Sequence, residues 1–597
     1  MKRLLRTLLG LAFLASLLLP LGTHAAEAPS VRDTMDAIVA RLYATFDQQK
    51  LLQLDERTVE GFVTPEERHV LATKYWCFDV NVPVTVSVMR DAAQAVIPFW
   101  LPEAGFKKTD LIVKNEEYTY EVWQKSFDPG RVELGINGFD KHRPHYFVAV
   151  GPKQPGAKLE LSHFVPADQN VTELREGAFV YYDWSDLLLT EVPDSMRGQA
   201  LLPTIRGRAR EAQIIQAFRE TPFPSSPKPD LVVLTWSEDP RTTETIQWRT
   251  DPSVNRGVVR YHEKQNGVAS PWTEGTAESA EIADKFVMND QRVHHFTATL
   301  RGLRPATTYV YSVGSPDNDQ WSQPAEFTTA PDAPAAFSFV FLSDTHSSPA
   351  SGKLLAAALE RHPEIAFCTI SGDLVGTGQY REDWDKLLEY SRVFSTQRPL
   401  MPALGNHDAI DGLGPQPYLS LFALPENGPK KLEAERAYSF VYGNALFIML
   451  DVTAPIEDQT QWLEEQLAGS RATWKIAVFH FPAYAPDDDT PEIRREWVPL
   501  FDKYHVDLAL SGHVHHYMRT LPMRDGKPVA SPADGTIYLI TVSLPDRDNT
   551  LPKPAYAAAL SFTGAPFYQT FSFDGNRLVS RCCSMDGKIQ DEFTIAK

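Results

Sequence analysis

The pattern of hydrophobic and polar positions changes twice along the chain. Residues 27–225 combine helical patterns with alternating strands, and residues 229–331 contain short strands separated by turns. From residue 336 onward, apolar strands alternate with amphipathic helices. Because each pattern is typical of a different arrangement of layers, the sequence predicts three domains: an α+β domain over 27–225, an all-β sandwich over 229–331 and an α/β domain over 336–597.

The first of these domains carries clear helix and strand signals but no motif with a known chemistry. A helical pattern covers 31–54, and a second helix is predicted to start at Thr64, because a proline and then a glutamate at the third position follow it. Alternating residues predict strands over 78–82 and 118–122, and a charged amphipathic run covers 206–219. The sequence assigns no function to this domain.

Proline-rich linkers flank the second domain, at 221–230 and 330–334. Strands are predicted over 231–236, 245–250, 257–263 and 294–300. The segment 303–313, LRPATTYVYSV, resembles the late-strand signature of fibronectin type III-like sandwiches, in which a proline precedes alternating tyrosines and one tyrosine packs as a corner. The resemblance implies a sandwich that positions the neighbouring domain.

The first 26 residues have the features of a secretory signal peptide. Lys2, Arg3 and Arg6 precede an apolar stretch over 8–21, and small residues follow it. No later segment approaches the ~20 apolar residues that a transmembrane helix needs, so we expect a periplasmic or secreted protein without a membrane span. The four cysteines are too few for a disulfide-dense scaffold, permit one disulfide and require none: Cys77, Cys368, Cys582 and Cys583.

The formal net charge of −19 becomes more negative by three when the basic residues of the signal segment are removed. A strongly acidic protein is a poor general partner for nucleic acids or anionic membranes, which bind basic patches. A phosphate-bearing substrate would therefore need concentrated local positive charge, which a metal site supplies.

Polar residues of metal-ligating type follow five apolar strands of the third domain. In chain order, Asp344 and His346 follow 337–342, Asp373 follows 366–370, Asn406 and His407 follow 399–404, His480 follows 475–479, and His513 and His515 follow 506–510. The carboxyl ends of strands are where α/β sheets place their sites. Each residue alone is more typical of a helix cap or a turn, but five successive strands that each end in such residues favour a common site.

These residues are sufficient for two metal ions. One set is Asp344, His346, Asp373 and His515, and the other is Asp373, Asn406, His480 and His513. Asp373 would bridge the ions, since metals in such pairs lie ~3.5–4 Å apart. If the backbone stays extended after Gly512, His513 and His515 point to one side and His516 points away from the site.

The series of motifs resembles the calcineurin-like metallophosphoesterase superfamily over about 337–597. The segments HFPAY at 480–484 and GHVHHYMR at 512–519, together with the preceding sandwich, are most similar to purple acid phosphatases. A closing hairpin over 571–594 also fits. The resemblance implies two mixed sheets flanked by helices, and a phosphoric ester hydrolase that acts on a phosphate ester.

The implied enzyme is a phosphomonoesterase in which a metal-bridging hydroxide attacks phosphorus and His407 is the general acid. A structural role for His407 stays open, as do a phosphodiesterase activity at the same site and a metal-binding surface scaffold without turnover. Nitrogen and oxygen donors suit two divalent ions such as manganese, iron or zinc.

The chain departs from purple acid phosphatases at two positions. Their motif places a metal-binding tyrosine three residues after the bridging aspartate, where this chain has Gly376, and a glycine where this chain has His346. Tyr380 is too far along the chain to be a good substitute. Because a neutral imidazole replaces a phenolate, we expect a site that prefers divalent ions and lacks the purple colour.

Overall fold

The structure is a computed structural model that describes residues 29–142, 144–182, 187–265, 270–409, 414–486, 490–544, 553–561 and 566–597. The predicted signal peptide lies outside the described residues. Within these ranges, no helix has both the length and the apolar character required to cross a bilayer.

The first domain begins with four helices and continues as a sheet-rich unit. Its helices are α1 Val31–Thr45, α2 Gln48–Leu52, α3 Glu56–Phe62, α4 Pro65–Thr73 and α5 Trp100–Glu103, with a 3₁₀ helix over Arg206–Ala212. Its strands are β1 Trp76–Val80, β2 Val84–Asp91, β3 Lys107–Asn115, β4 Thr119–Phe127, β5 Gly130–Leu134, β6 Phe147–Pro152, β7 Leu161–Val165, β8 Thr172–Glu173, β9 Leu189–Glu191 and β10 Ala200–Leu202. They form a three-stranded sheet, β5-β1-β7, and a seven-stranded sheet, β8-β10-β6-β2-β4-β3-β9.

Local sequence determines where helices α2 and α4 begin. Thr64 accepts a hydrogen bond from the backbone of Glu67 at 3.2 Å, and the Glu67 carboxylate accepts the Thr64 N–H at 2.9 Å, which confirms the predicted capping box. The prediction of a continuous helical segment over 31–54 was wrong, because two helices cover this range. Phe46 adopts extended dihedral angles, and the Asp47 side chain caps a new helix by accepting the backbone N–H of Lys50 at 2.8 Å.

The second domain contains two facing antiparallel sheets. Its strands are β11 Asp230–Thr235, β12 Thr243–Thr250, β13 Val258–Glu263, β14 Thr273–Thr276, β15 Glu278–Ala283, β16 Arg292–Arg301, β17 Thr308–Ser315, β18 Gln320–Trp321 and β19 Ala325–Thr328. The sheets have the orders β11-β12-β16-β15 and β14-β13-β17-β18, and β19 also pairs with β17. The Tyr309 hydroxyl accepts the backbone N–H of Arg304 at 2.9 Å, the contact expected of a tyrosine corner. The fibronectin type III assignment itself stays a prediction.

The third domain alternates strands and helices. Its helices are α6 Pro349–Arg361, α7 Arg381–Ser395, α8 Gln416–Leu421, α9 Glu457–Gly469, α10 Pro491–Glu496 and α11 Val498–Tyr504. Its strands are β20 Phe337–Leu342, β21 Ile365–Ile370, β22 Leu400–Pro402, β23 Tyr438–Tyr442, β24 Ala445–Met449, β25 Trp474–Val478, β26 Leu508–Ser511, β27 Tyr517–Thr520, β28 Met523–Arg524, β29 Lys527–Pro528, β30 Ile537–Ile540, β31 Ala557–Ser561, β32 Phe567–Asp574, β33 Arg577–Ser584 and β34 Ile589–Ala596. All five strands that were predicted to precede polar residues are present.

Two mixed sheets pack face to face in this domain. Their orders are β22-β21-β20-β32-β33-β34 and β23-β24-β25-β26-β30-β27-β31, and each contains both parallel and antiparallel pairs. Aromatic side chains fill the space between them: the ring of Phe339 stacks 5.2 Å from Phe367 and meets Phe447 edge-on at 5.2 Å. The predicted fold class, sheet-rich N-terminal domains followed by an α/β domain, is confirmed.

The second and third domains share a core. Trp236, directly after β11, is buried with its ring 5.3 Å from Phe367 and 5.3 Å from Tyr442. The sandwich therefore packs, through Trp236, against both sheets of the third domain. All four cysteines are buried and free, so none of them forms a disulfide.

Candidate metal centre

The five predicted strand ends meet at one place. Strands β20, β21 and β22 are neighbours in the first sheet of the third domain, and β25 and β26 are neighbours in the second. The ligand-type atoms of Asp344, His346, Asp373 and His515 lie within 4.8 Å of one another, and so do those of Asp373, His480 and His513. Asp373 is common to both groups, as the sequence predicted for a bridging carboxylate.

The backbone at these positions is unusual. Asp344, His346, Asp373, His513 and His515 all have positive φ angles, between 43° and 72°. Residues other than glycine rarely adopt this region, and such strain is found mainly where the surrounding structure holds a functional side chain in place. The positive φ angles turn the backbone so that these five side chains converge on one site.

The histidine-rich segment after Gly512 is not extended, contrary to the prediction. Strand β26 ends at Ser511 and β27 begins at Tyr517, so residues 512–516 are not extended and side-chain alternation does not apply. The positive φ angles of His513 and His515 direct one histidine to each group of ligand atoms. His516 is buried and belongs to neither of the two groups found among the described residues; its Nδ1 lies 3.2 Å from the carbonyl oxygen of Val514.

Glycines allow the strand ends to approach so closely. A Cβ on Gly512 would lie 1.9 Å from Oγ of Ser343 and 2.3 Å from Oδ2 of Asp344. A Cβ on Gly405 would lie 2.3 Å from Oδ1 of Asp373. All three distances are far below van der Waals contact, so any side chain at either position would displace a carboxylate.

Asp344 organises the first group. The backbone N–H of His513 lies 3.1 Å from Oδ1 of Asp344 and 3.0 Å from Oδ2, and Nε2 of His515 lies 3.3 Å from Oδ1. The Nε2 atoms of His346 and His515 face each other at 3.2 Å. Two imidazole nitrogens and a carboxylate thus point toward one location.

Asp373 joins the two groups. Its Oδ2 lies 3.1 Å from Nε2 of His480 and 3.7 Å from Nε2 of His346, and its Oδ1 accepts the backbone N–H of His407 at 2.8 Å. Burial alone would raise the pKa of this carboxyl, but the nearby histidines, His480 first, hold that pKa well below its ordinary value. Asp373 is therefore an ionised carboxylate, the form that binds metals.

The pKa values of the two histidines in the second group, His480 and His513, shift in opposite directions. Burial lowers the pKa of His480, but the adjacent Asp373 carboxylate outweighs burial and raises it to about 9. Burial lowers the pKa of His513 to about 4, so that imidazole is neutral and offers a lone pair. Nδ1 of His480 lies 3.1 Å from the carbonyl oxygen of Ser371, which accepts its N–H, so a metal ion would replace the proton that the raised pKa keeps on Nε2.

Asn406 and His407 lie on the turn that follows β22. Oδ1 of Asn406 is buried and has no hydrogen-bond partner among the described residues, as expected of a ligand atom. Nδ1 of His407 lies 2.8 Å from the carbonyl oxygen of Gly376, which fixes the proton on Nδ1 and leaves Nε2 exposed to the site. The His407 ring is perpendicular to that of His346, with 4.7 Å between centroids.

Asp408 is a structural residue of the site that the sequence did not reveal. Its fully buried carboxylate accepts the backbone N–H of Gly405 at 2.9 Å and that of Val375 at 3.1 Å. It therefore ties the Asn406 turn to the loop that follows Asp373. Its only sequence signal is its place directly after Asn406 and His407.

The donor set fits two divalent metal ions. All donors are carboxylate or amide oxygens and imidazole nitrogens, and the two groups share the Asp373 carboxylate. Within the described part of the chain, the buried amide oxygen of Asn406 has no hydrogen-bond partner. Tyr380 is engaged elsewhere, because its hydroxyl lies 3.2 Å from Nη1 of Arg210 in the first domain. Gly376, which occupies the tyrosine position of purple acid phosphatases, supplies no side chain.

Comparisons with known families agree with this geometry. Residues 229–329 match the family model of the purple acid phosphatase N-terminal domain, and residues 337–517 match that of calcineurin-like phosphoesterases. The resemblance to calcineurin-like phosphoesterases is confirmed. The second and third domains thus carry the domain order of a purple acid phosphatase-like metallophosphoesterase.

Individual relatives are distant. An uncharacterised protein of Mycobacterium tuberculosis (strain H37Rv) is 29% identical over 334 residues, which cover 49% of this chain and 62% of that protein. The chain therefore spans about three-fifths of that relative's length. Purple acid phosphatase 23 of Arabidopsis thaliana is 25% identical over 373 residues, covering 55% of this chain and 80% of the relative.

A solved structure supports the fold. Purple acid phosphatase PPD1 from seeds of yellow lupin (Lupinus luteus) superposes with a TM-score of 0.55 at 15% identity, covering 88% of this chain and 94% of the lupin chain. At this identity the similarity concerns the fold alone.

Proposed function

We propose that this protein is an exported phosphoric ester hydrolase, and specifically a phosphomonoesterase, that acts with two divalent metal ions. The observation that carries the proposal is the pair of donor groups that share Asp373. Neighbouring metal sites joined by one carboxylate are suited to displacement at phosphorus, where charge develops on both the entering and the leaving oxygen.

The residues have distinct roles in this proposal. One ion would be held by Asp344, His346, Asp373 and His515, and the other by Asp373, Asn406, His480 and His513. When bound, the ions supply a water nucleophile of low pKa and positive charge for the ester oxygens. The backbone N–H of His407 holds the ionised Asp373 carboxylate in place, and the Nδ1–H bond to Ser371 orients the His480 ring.

His407 is the proton donor of the proposal. Its Nδ1–H is committed to the Gly376 carbonyl, so the proton that the imidazolium form can give to the leaving alkoxide or phenoxide is the one on Nε2. Its backbone bond to Asp373 holds it beside the shared carboxylate without making its side chain a ligand.

Electrostatics and the amino-terminal segment complete the proposal. With a formal net charge of −19, the protein repels anionic esters unless the metal site supplies local positive charge. The basic, apolar and small-residue segments of residues 1–26 support export, and a periplasmic or secreted location follows from them.

The test compares p-nitrophenyl phosphate with bis-p-nitrophenyl phosphate, using protein supplied with manganese, zinc or iron. We expect faster hydrolysis of the monoester, and loss of activity in His513→Ala. A matched control is His362→Ala, which changes a histidine at the end of α6 away from the donor groups. Faster hydrolysis of the diester would favour a phosphodiesterase, and metal binding without hydrolysis of either ester would indicate a scaffold.

Cell fractionation tests the location. We expect the mature protein, shortened at its amino terminus, in the periplasm or the medium. Full-length protein confined to the cytoplasm would contradict export.

A further inference from the structure

Arg219, at the end of the first domain, touches all three domains. Its Nη2 donates to Oδ2 of Asp284 in the second domain at 2.8 Å, and its Nε donates to the carboxylate of Glu382 at the start of α7. The guanidinium carbon lies 3.9 Å from the centroid of the Tyr380 ring. Only 14% of the Arg219 side chain is exposed, so it is a fixed part of the domain junction.

Tyr380 is the last residue of a short loop, residues 376–380, which contacts His407 twice. The Gly376 carbonyl accepts the His407 Nδ1–H at 2.8 Å, and the Gly378 N–H donates to the His407 carbonyl at 2.8 Å. The Tyr380 N–H donates to the Thr377 carbonyl at 2.9 Å, which closes the loop into a turn. The loop therefore connects Arg219 to His407 through a continuous series of contacts.

The loop has little freedom to adjust by itself. A Cβ on Gly378 would lie 1.9 Å from the carbonyl oxygen of Asp408, so the chain already lies against the turn that carries His407. The Trp384 indole N–H donates to the Gly378 carbonyl at 2.7 Å from the other side. A shift of Tyr380 is therefore expected to move Gly376, the residue that orients the His407 ring.

We propose that Tyr380, clamped by Arg219, is a positioning residue for His407, and that this is how the first domain acts on the phosphoesterase site. This inference rests on the proposed role of His407 as proton donor. Misplacement of a catalytic group by about 1 Å can slow a reaction by about 100-fold, so a small change in the loop has a measurable effect.

The reaction itself provides a specific readout. Proton donation matters most when the leaving group is a strong base, because a weakly basic phenoxide departs without it. Misplacing the donor should therefore slow phenyl phosphate more than 2,4-dinitrophenyl phosphate. A general loss of folded protein would slow both esters equally.

The experiment measures kcat and KM for a series of aryl phosphates with the metal-loaded full chain. We expect Tyr380→Leu and Arg219→Met to lower kcat for phenyl phosphate by about tenfold and that for 2,4-dinitrophenyl phosphate by less than about twofold, with KM and metal content unchanged. Tyr380→Phe keeps the ring under Arg219 and removes only the hydroxyl that Arg210 contacts, so with Arg219 as the clamp it should resemble the unaltered protein.

Arg249→Met is the matched control. Arg249 is also a buried arginine between domains, with Nη1 3.0 Å from Asp385 and Nη2 2.7 Å from Asp230. Its loss should lower the thermal midpoint without any dependence on the leaving group. Thermal midpoints of all variants separate stability from positioning.

Two outcomes would overturn the inference in different ways. If His407→Asn shows strong dependence on the leaving group and Tyr380→Leu shows none, positioning through the loop is wrong and the proposed donor stands. If His407→Asn shows no such dependence, the assignment of the donor is wrong, and the positioning role fails with it.

Discussion

The backbone N–H of His407 donates a 2.8 Å hydrogen bond to Oδ1 of Asp373, so the proposed proton donor is anchored to the carboxylate shared by both donor groups. Only the donor belongs to the His407 main chain, so we expect the bond to persist when the His407 side chain is replaced. Proton donation and metal binding can therefore be separated by substitution.

Replacement of His407 by asparagine should slow turnover by roughly 10²–10⁴-fold, the range for loss of one general acid. Both metal ions should remain, because the His407 imidazole is absent from both donor groups of the described residues. Steady-state kinetics and metal analysis of the same sample measure the two effects. Loss of a metal ion from this variant would show that His407 is a ligand instead.

Gly512→Ala should impair the site although it adds one methyl group. The new Cβ would lie 1.9 Å from Ser343 and 2.3 Å from the Asp344 carboxylate, so Asp344 must move. We expect metal affinity to fall and activity to fall with it. Gly469→Ala is the control, since no atom lies within 4 Å of its Cβ, and it should leave both quantities unchanged.

The protein purified without reductant should be colourless. Gly376 offers no phenolate, and the Tyr380 ring is packed under Arg219 in the domain junction. A visible spectrum, with metals quantified in the same sample, tests this expectation. An intense tyrosinate-to-iron charge-transfer band would contradict it.

The half-buried Glu435 should make the stability depend on pH. Burial is the main cause that raises its pKa to about 7 from an ordinary value near 4.5. The protonated form is favoured in the folded state, so its stabilising effect is complete below about pH 4.5 and is lost as the pH rises through about 7.

Glu435→Gln should remove that dependence. The variant should be more stable than the unaltered protein at pH 8.5, by about 1–2 kcal/mol once solvent screening is allowed for, and similar to it at pH 4. Unfolding midpoints at the two values measure the difference. The exposed Glu66→Gln is the control, and an equal shift in that variant would contradict a specific effect of Glu435.

The strand ends of the third domain could be predicted because their signals are local. Each apolar run, such as 337–342, ends at a polar residue, and strands of one sheet bring such ends together. The direction of the histidines could not be derived in this way. It depends on positive φ angles at His513 and His515, and the His513 backbone N–H is bound by the distant Asp344 carboxylate.

Contacts between residues that are distant in the chain could not be predicted from local sequence either. The Asp408 carboxylate binds Gly405 nearby but also Val375, 33 residues earlier in the chain. The contact between Arg219 and Tyr380 joins two domains, and nothing in either local segment indicates the other. The sheet order of the first domain likewise depends on pairings between distant strands, such as β2 with β6.

The most direct test of the account is a metal titration of chelated protein, followed by hydrolysis of p-nitrophenyl phosphate and metal content in the same samples. We predict that the unaltered chain takes up two divalent ions and that activity appears with them, whereas Asp373→Asn, which weakens the shared ligand, loses metal and activity together. Hydrolysis at the full rate by metal-free protein, or normal metal uptake and turnover by Asp373→Asn, would contradict the account.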